Sequence, residues 1–232
     1  MSDTGEIIRS GALTTVTDLL KTLAGPAFEE FGAILGDKAK VYRLKNFIKT
    51  AQKSKQILDE AGLKPGSVPS RLLLPIIENC SVEDNDELQE RWAGLLASAS
   101  QESDSLSPSF VETLKQLTPR EAKYLDYVFA QSSKGQKKGP TKDDQIPYGI
   151  LGTTGGAPAG ALETYERLGL IRRDYAVSLD NRAYGFSSKN LEAALGDIES
   201  ALDSLDAEVK HAFCFTAYAL SFVKACRGPR KQ

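Results

Sequence analysis

The 232-residue chain has one histidine, three cysteines and no long apolar run. Each scarcity excludes something. A Ser-His-Asp or Cys-His catalytic site would have to use His211, which lies beside Ala212 and Phe213 in a segment that reads as a strand edge. Cys214 is three residues away. Because alternate strand positions face alike, 211 and 214 point to opposite faces. Neither a CxxC nor an HxxxH spacing occurs, so zinc sites of the Cys/His type are excluded. Cys80, Cys214 and Cys226 are odd in number and widely spaced, and no signal peptide precedes them. They read as reduced thiols of a cytosolic protein, buried as small hydrophobes. No run approaches the roughly 20 apolar residues of a membrane span. The longest nearly apolar stretch, 212–223, is interrupted by Thr216 and Ser221.

Other catalytic parts are also missing. The glycine-rich stretch 152–160 precedes a helix, but it carries neither Lys-Ser/Thr nor G-x-G-x-x-G, so it reads as a turn and not a phosphate cradle. The carboxylates of 78–90 sit at a solvated helix start, where the helix dipole favours acids, and nothing makes two of them a buried acid/base pair. No catalytic residue, metal site, cofactor or small-molecule substrate is expected.

Helical punctuation is abundant. Ser107 followed by Pro108, and Thr118 followed by Pro119, are two helix starts in succession. Glu121 completes a capping box with Thr118. This double start divides the chain into a helical domain, 1–106, and a second unit, 107–232. In the first, residues 6–35 carry apolar positions at helical spacing, with a break at Gly25-Pro26. A helix is expected over 37–58, with Val41, Leu44, Ile48, Ala51 and Leu58 inward. Residues 69–80 read as the central buried helix, kinked or split at Pro75. The next helix, capped by Ser81, Asn85 or Asp86, carries Leu88, Trp92, Leu95, Leu96 and Ala99 at core spacing. A Ser-rich mobile loop is expected at 100–107.

The second unit opens with a helix placing Ala122, Leu125, Val128 and Phe129 on one face, then a polar loop over 131–144. A short helix at 146–151, a turn, a helix from Pro158 to Leu168 and a strand over 170–179 follow. Gly169 takes the positive-φ position that ends a helix. A short strand at 183–186, an amphipathic helix at 190–205, a last strand around Phe213 and Phe215, a short helix through Phe222 and Val223, and a disordered tail from Arg227 complete the reading. Three helices, Leu168-Gly-Leu-Ile171 and a strand are the pattern of a winged helix. The expected fold is thus mainly α: a helical N-terminal domain followed by a winged-helix-like α+β C-terminal domain with a basic tail. Some 30 residues separate the two wing strands, where a short hairpin is usual.

The net charge is only −2, but it is unevenly placed. Between Asp37 and Leu58 lie Lys38, Lys40, Arg43, Lys45, Lys49, Lys53 and Lys55, with Asp37 the one anion. From Glu78 to Glu112, Arg91 is the one cation among nine acids. The simplest account sets these regions against each other. The alternatives are a helix that meets an acidic partner or an anionic membrane surface. The helix 158–168 has Glu163 and Glu166 against Arg167, with Arg172 and Arg173 after it. Phosphate contacts supply most DNA affinity, so nucleic-acid binding is expected to be weak. The candidate partner-binding residues are Lys38, Arg43, Lys45, Lys49, Lys53, Arg172 and Arg173.

Several segments together resemble one family. They are Asp37–Asn46, Glu60-Ala-Gly-Leu-Lys-Pro65, Leu72-Leu-Leu-Pro-Ile-Ile-Glu78, Glu87–Ala97, Pro108–Pro119, Arg167–Ile171 and Ser221–Cys226. In this order they resemble the bacterial abortive-infection alpha family. The resemblance implies a prokaryotic or phage-linked protein with a part in anti-phage defence, and it brings no catalytic motif. The expected function is non-enzymatic, cytoplasmic and exerted by binding a protein, whether self, host or phage.

Overall fold

The computed structural model describes residues 18–19, 21–23, 37–102, 106–132, 145–146, 157–178 and 208–230; of these, 37–41, 145, 173–178 and 208–212 enter through their backbone alone. Among the described residues the protein is mainly helical, with one small antiparallel sheet. The expected strand at 183–186 and helix at 190–205 lie outside them.

Helix α1 spans Asp37–Ala61. Gly62, at φ 72°, ends it by donating to Asp59 O, while Leu63 N donates to Leu58 O. Its buried face is wider than the apolar spacing suggests. Phe47, Ile48, Ala51 and Leu58 are buried, and so are Asn46, Thr50 and Ser54. Those polar groups find local partners: Thr50 Oγ1 donates to Asn46 O (3.1 Å) and Asn46 Nδ2 to Ser81 O (3.3 Å).

Helix α2 spans Ser70–Val82 and runs unbroken through Pro75. The missing Pro75 N–H leaves the Arg71 carbonyl without its helical partner, and Arg71 is exposed, so the split expected at Pro75 does not occur. Helix α3 spans Asp86–Ala99 and is capped by Asn85, whose Oδ1 accepts from Glu87 N (3.0 Å) and Leu88 N (3.1 Å). Here the expectation for residues 69–80 is corrected. It is α3, not α2, that is surrounded: α1, α2, α5 and α7 all pack on it. Its buried set includes Trp92, Leu95 and Leu96 and also the small residues Ala93, Gly94 and Ala97. Small side chains let neighbouring backbones come close on every side, whereas α2 buries one face and exposes Glu78 and Val82.

Helix α4 (Ser109–Gln116) and α5 (Pro119–Ser132) follow the double helix start. Ser107 Oγ accepts from Ser109 N. Thr118 N donates to Glu121 Oε2 (2.8 Å) and Glu121 N to Thr118 Oγ1 (3.3 Å), the reciprocal bonds of a capping box.

Strands β1 (Gln145–Ile146), β2 (Ile171–Ser178) and β3 (Glu208–Phe215) form an antiparallel sheet in the order β1-β3-β2, with Ile146 opposite Phe213 and Ile171 opposite Phe215. Ile146 is therefore in a strand and not in the expected helix. A single buried apolar side chain is too little pattern to separate the two. Helix α6 is Ala161–Arg167, and Gly169 at φ 67° turns the chain into β2.

Helix α7 (Ala217–Arg227) is capped by Thr216, whose Oγ1 accepts from Ala219 N (3.0 Å). It returns to α3. The tail is not disordered at its start. Arg227 closes α7, and buried Gly228 lies with its nitrogen near the place of a Gly94 Cβ. Buried side chains from Leu19 to Cys226 form one apolar cluster.

Two substitutions test this packing. Trp92, only 2% exposed, should cost about 3–5 kcal/mol when cut to alanine. Gly94→Ala adds one methyl where a Cβ would lie 2.1 Å from the Cys226 carbonyl oxygen, so overpacking should cost about 1–3 kcal/mol or more. Urea unfolding of both variants measures this. An unchanged midpoint for Gly94→Ala would show that α7 does not dock on α3.

Candidate functional site

The α1 cations divide into those with partners inside the chain and those without. Arg43 Nε donates to Ser81 Oγ (3.0 Å) and Nη2 to Glu78 O (3.5 Å). Lys53 Nζ donates to Asp86 O (3.1 Å) and lies 3.6 Å and 3.8 Å from the Asp86 and Glu90 carboxylates. Lys55 pairs with Asp59 one turn on, at 2.5 Å. The basic helix thus meets the acidic section, as expected, through Arg43 and Lys53 among the described side chains. Among the described residues, the exposed Lys45 and the half-buried Lys49 have no ion-pair or hydrogen-bond partner. Lys38 lies in the first turn of α1 and is placed by its backbone alone.

Two residues that charge patterning did not single out belong to the same region. Tyr42 is 47% exposed and Val82 is 55% exposed. The bond between their neighbours Arg43 and Ser81 sets them at the same end of the α1–α2 pair. Tyr42 lies three residues before Lys45, on its stripe, and that spacing was a usable signal. Val82 had no such signal. Arg172 and Arg173 are not part of this surface. They lie on β2, opposite Cys214 and Phe213, and Arg172 is exposed.

A second charged cluster was invisible in the sequence. Asp126 on α5 accepts from Arg91 of α3 and from Arg227 Nε of α7 (3.0 Å). Arg91 also donates to Glu87 O (2.9 Å) and Ala122 O (3.0 Å). The Arg227 guanidinium stands 4.4 Å above the Phe129 ring. A cleft of about 380 Å³ opens beside this junction, with Lys53, Glu60, Glu90 and Arg230 along it. Both inner guanidinia already hold Asp126, so the cluster ties three helices together.

The thiols are withdrawn. All three cysteines are buried. Burial pushes the Cys80 thiol up to about 12 and raises Cys226 still further. His211 lies in β3 opposite Tyr175 and is three positions from Cys214 in the same strand. Among the described residues no group of three His, Cys, Asp or Glu is placed to hold a metal. Burial also raises Tyr165, whose hydroxyl donates to Glu121 O (2.6 Å). For Glu121 itself, burial works against the charge. Hydrogen bonds from the Thr118 N–H and hydroxyl nevertheless hold its carboxyl below the usual range.

These features define a class: a mainly helical protein with a small antiparallel sheet, buried thiols, and a cationic surface only partly matched from within. No helix among the described residues is long and apolar enough to cross a membrane. The model of the abortive infection alpha family matches residues 39–226, and the chain belongs to that family. Membership implies a role in abortive infection, an antiviral defence. No curated protein and no solved structure matches the chain.

Two solution measurements follow. Iodoacetamide at pH 8 should leave the folded thiols unmodified and label all three after denaturation; a rapidly labelled native thiol would contradict their burial. The lowered Glu121 carboxyl makes its contribution fully present above the ordinary glutamate value of about 4.3, and lost as pH falls through its folded value. Glu121→Gln should therefore flatten the loss of stability below about pH 5. An unchanged acid slope would show that the capping carboxylate does not contribute.

Proposed function

We propose that the protein is a cytoplasmic, non-enzymatic component of abortive infection that acts by binding another protein. The observation that carries this reading is the division of the α1 cations. Arg43, Lys53 and Lys55 are engaged within the chain, while Lys45 and Lys49 remain available beside an exposed tyrosine. Tyrosine is enriched at protein interfaces, and surface charges beside it steer a partner of opposite sign. The withdrawal of the thiols supports the same reading, because a buried neutral thiol is a poor nucleophile.

The second half of the chain is read as winged-helix-like. The strand order β1-β3-β2, with α6 just before β2, supports this. Helix α6 would occupy the recognition position, yet Glu163 is exposed and Arg167 donates to Gln116 Oε1 (2.6 Å). A helix so charged is better suited to protein contact than to reading a phosphate-lined groove. Binding of nucleic acid or of an anionic membrane surface is the alternative.

A phage challenge of cells with and without the protein tests the reading. Protection should require the protein and should survive His211→Ala and each folded Cys→Ala variant. Loss of protection by a folded, normally abundant His211→Ala protein would overturn the non-enzymatic reading.

A further inference from the structure

We infer that Tyr42, Val82, Lys45 and Lys49 form a docking surface for an acidic protein segment with an apolar anchor at one end. The inference rests on the binding reading above and names the chemistry of the partner. Among the described residues the exposed large hydrophobics are Tyr42, Val82 and Tyr127, and the first two are sequence neighbours of the bonded Arg43 and Ser81, at the same end of the α1–α2 pair. Lys45 and Lys49 continue from Tyr42 along α1, three and seven residues on. At about 1.5 Å rise per residue they extend the surface by roughly 10 Å, with the two cations about one turn apart. Among the described residues no carboxylate pairs with them.

Charge also sets the direction of the bound segment. Glu78 and Asp84, both exposed, flank Val82 in the sequence and repel carboxylates from that end. The apolar anchor therefore sits at Tyr42 and Val82, and the acidic residues lie over Lys45 and Lys49. An amphipathic helix with carboxylates one turn apart, following an apolar residue, matches this layout. An anionic membrane fits less well. The exposed Glu78 and Asp84 would face the lipid charge. The same acids oppose a nucleic-acid backbone.

The test is photo-crosslinking in phage-challenged cells, using the full chain with a photoreactive phenylalanine analogue in place of Tyr42. A second chain carries the analogue in place of Tyr127, the exposed aromatic of α5. The expected result is a protein adduct from position 42 in which the crosslinked segment has more Asp and Glu than Lys and Arg. Lys45→Glu combined with Lys49→Glu should reduce that adduct by roughly tenfold or more without changing the circular dichroism or the melting temperature. Lys55→Glu, at an internally paired position, should not reduce it. A lipid or nucleic-acid adduct, a protein adduct indifferent to the double reversal, or no adduct from position 42 would each overturn the inference. A protein adduct from position 127 alone would remove this surface and leave the binding reading standing. Protection lost in folded His211→Ala, with no protein adduct from either position, would remove both.

Discussion

The structure depends on one close approach between backbones. Gly94 of α3 faces the last turn of α7 so tightly that the Cys226 carbonyl occupies the space a side chain would need. Only glycine permits this. The approach is secured on both sides: Ser98 Oγ donates to Ala225 O (2.9 Å), and Arg227 holds Asp126. Helix α7 also carries Phe222 and Tyr218 to the edge of Phe110 on α4, where the Tyr218 hydroxyl donates to Ser109 O (3.0 Å). A segment near the chain's end thus packs at its centre, against α3 and α4, and reaches α5 through Arg227.

This arrangement explains the distribution of charge. Asp126 is part-buried, and it pairs with two guanidinia. Those bonds join α3, α5 and α7. Lys53 likewise joins α1 to the acidic start of α3. Pairing of this kind contributes little stability where it is exposed. Its larger effect is on which α1 cations stay outward: Arg43 and Lys53 are engaged, while Lys45 and Lys49 have no partner among the described residues. The three thiols are buried, and the Glu121 carboxylate caps α5.

Much of this was legible wherever the signal is local. The Thr118–Glu121 box, the Gly169 turn, β3 around Phe213 and the helix after it, and the core spacing of α3 follow from residues within a few positions of each other. The centre of the fold was not legible in this way. Ala93, Gly94 and Ala97 carry little hydropathy, so the more apolar α2 looked central, although it is the smaller side chains that admit neighbours on all sides. Arg227-Gly-Pro has the composition of a loose tail, and its ordering requires Asp126, 101 positions earlier. The candidate site was read in the same partial way. Charge pattern found Lys45, Lys49 and their neighbours, but which of them remain unpaired depends on contacts with α2 and α3 that no local pattern contains.

Native-state hydrogen exchange across α3 and α7 tests the central claim most directly. If α7 is held on α3 through Gly94, slow amides of both helices should exchange through one common opening and respond together to low denaturant. Exchange of α7 many times faster than α3, insensitive to denaturant, would mean that α7 frays independently, and the account would be contradicted.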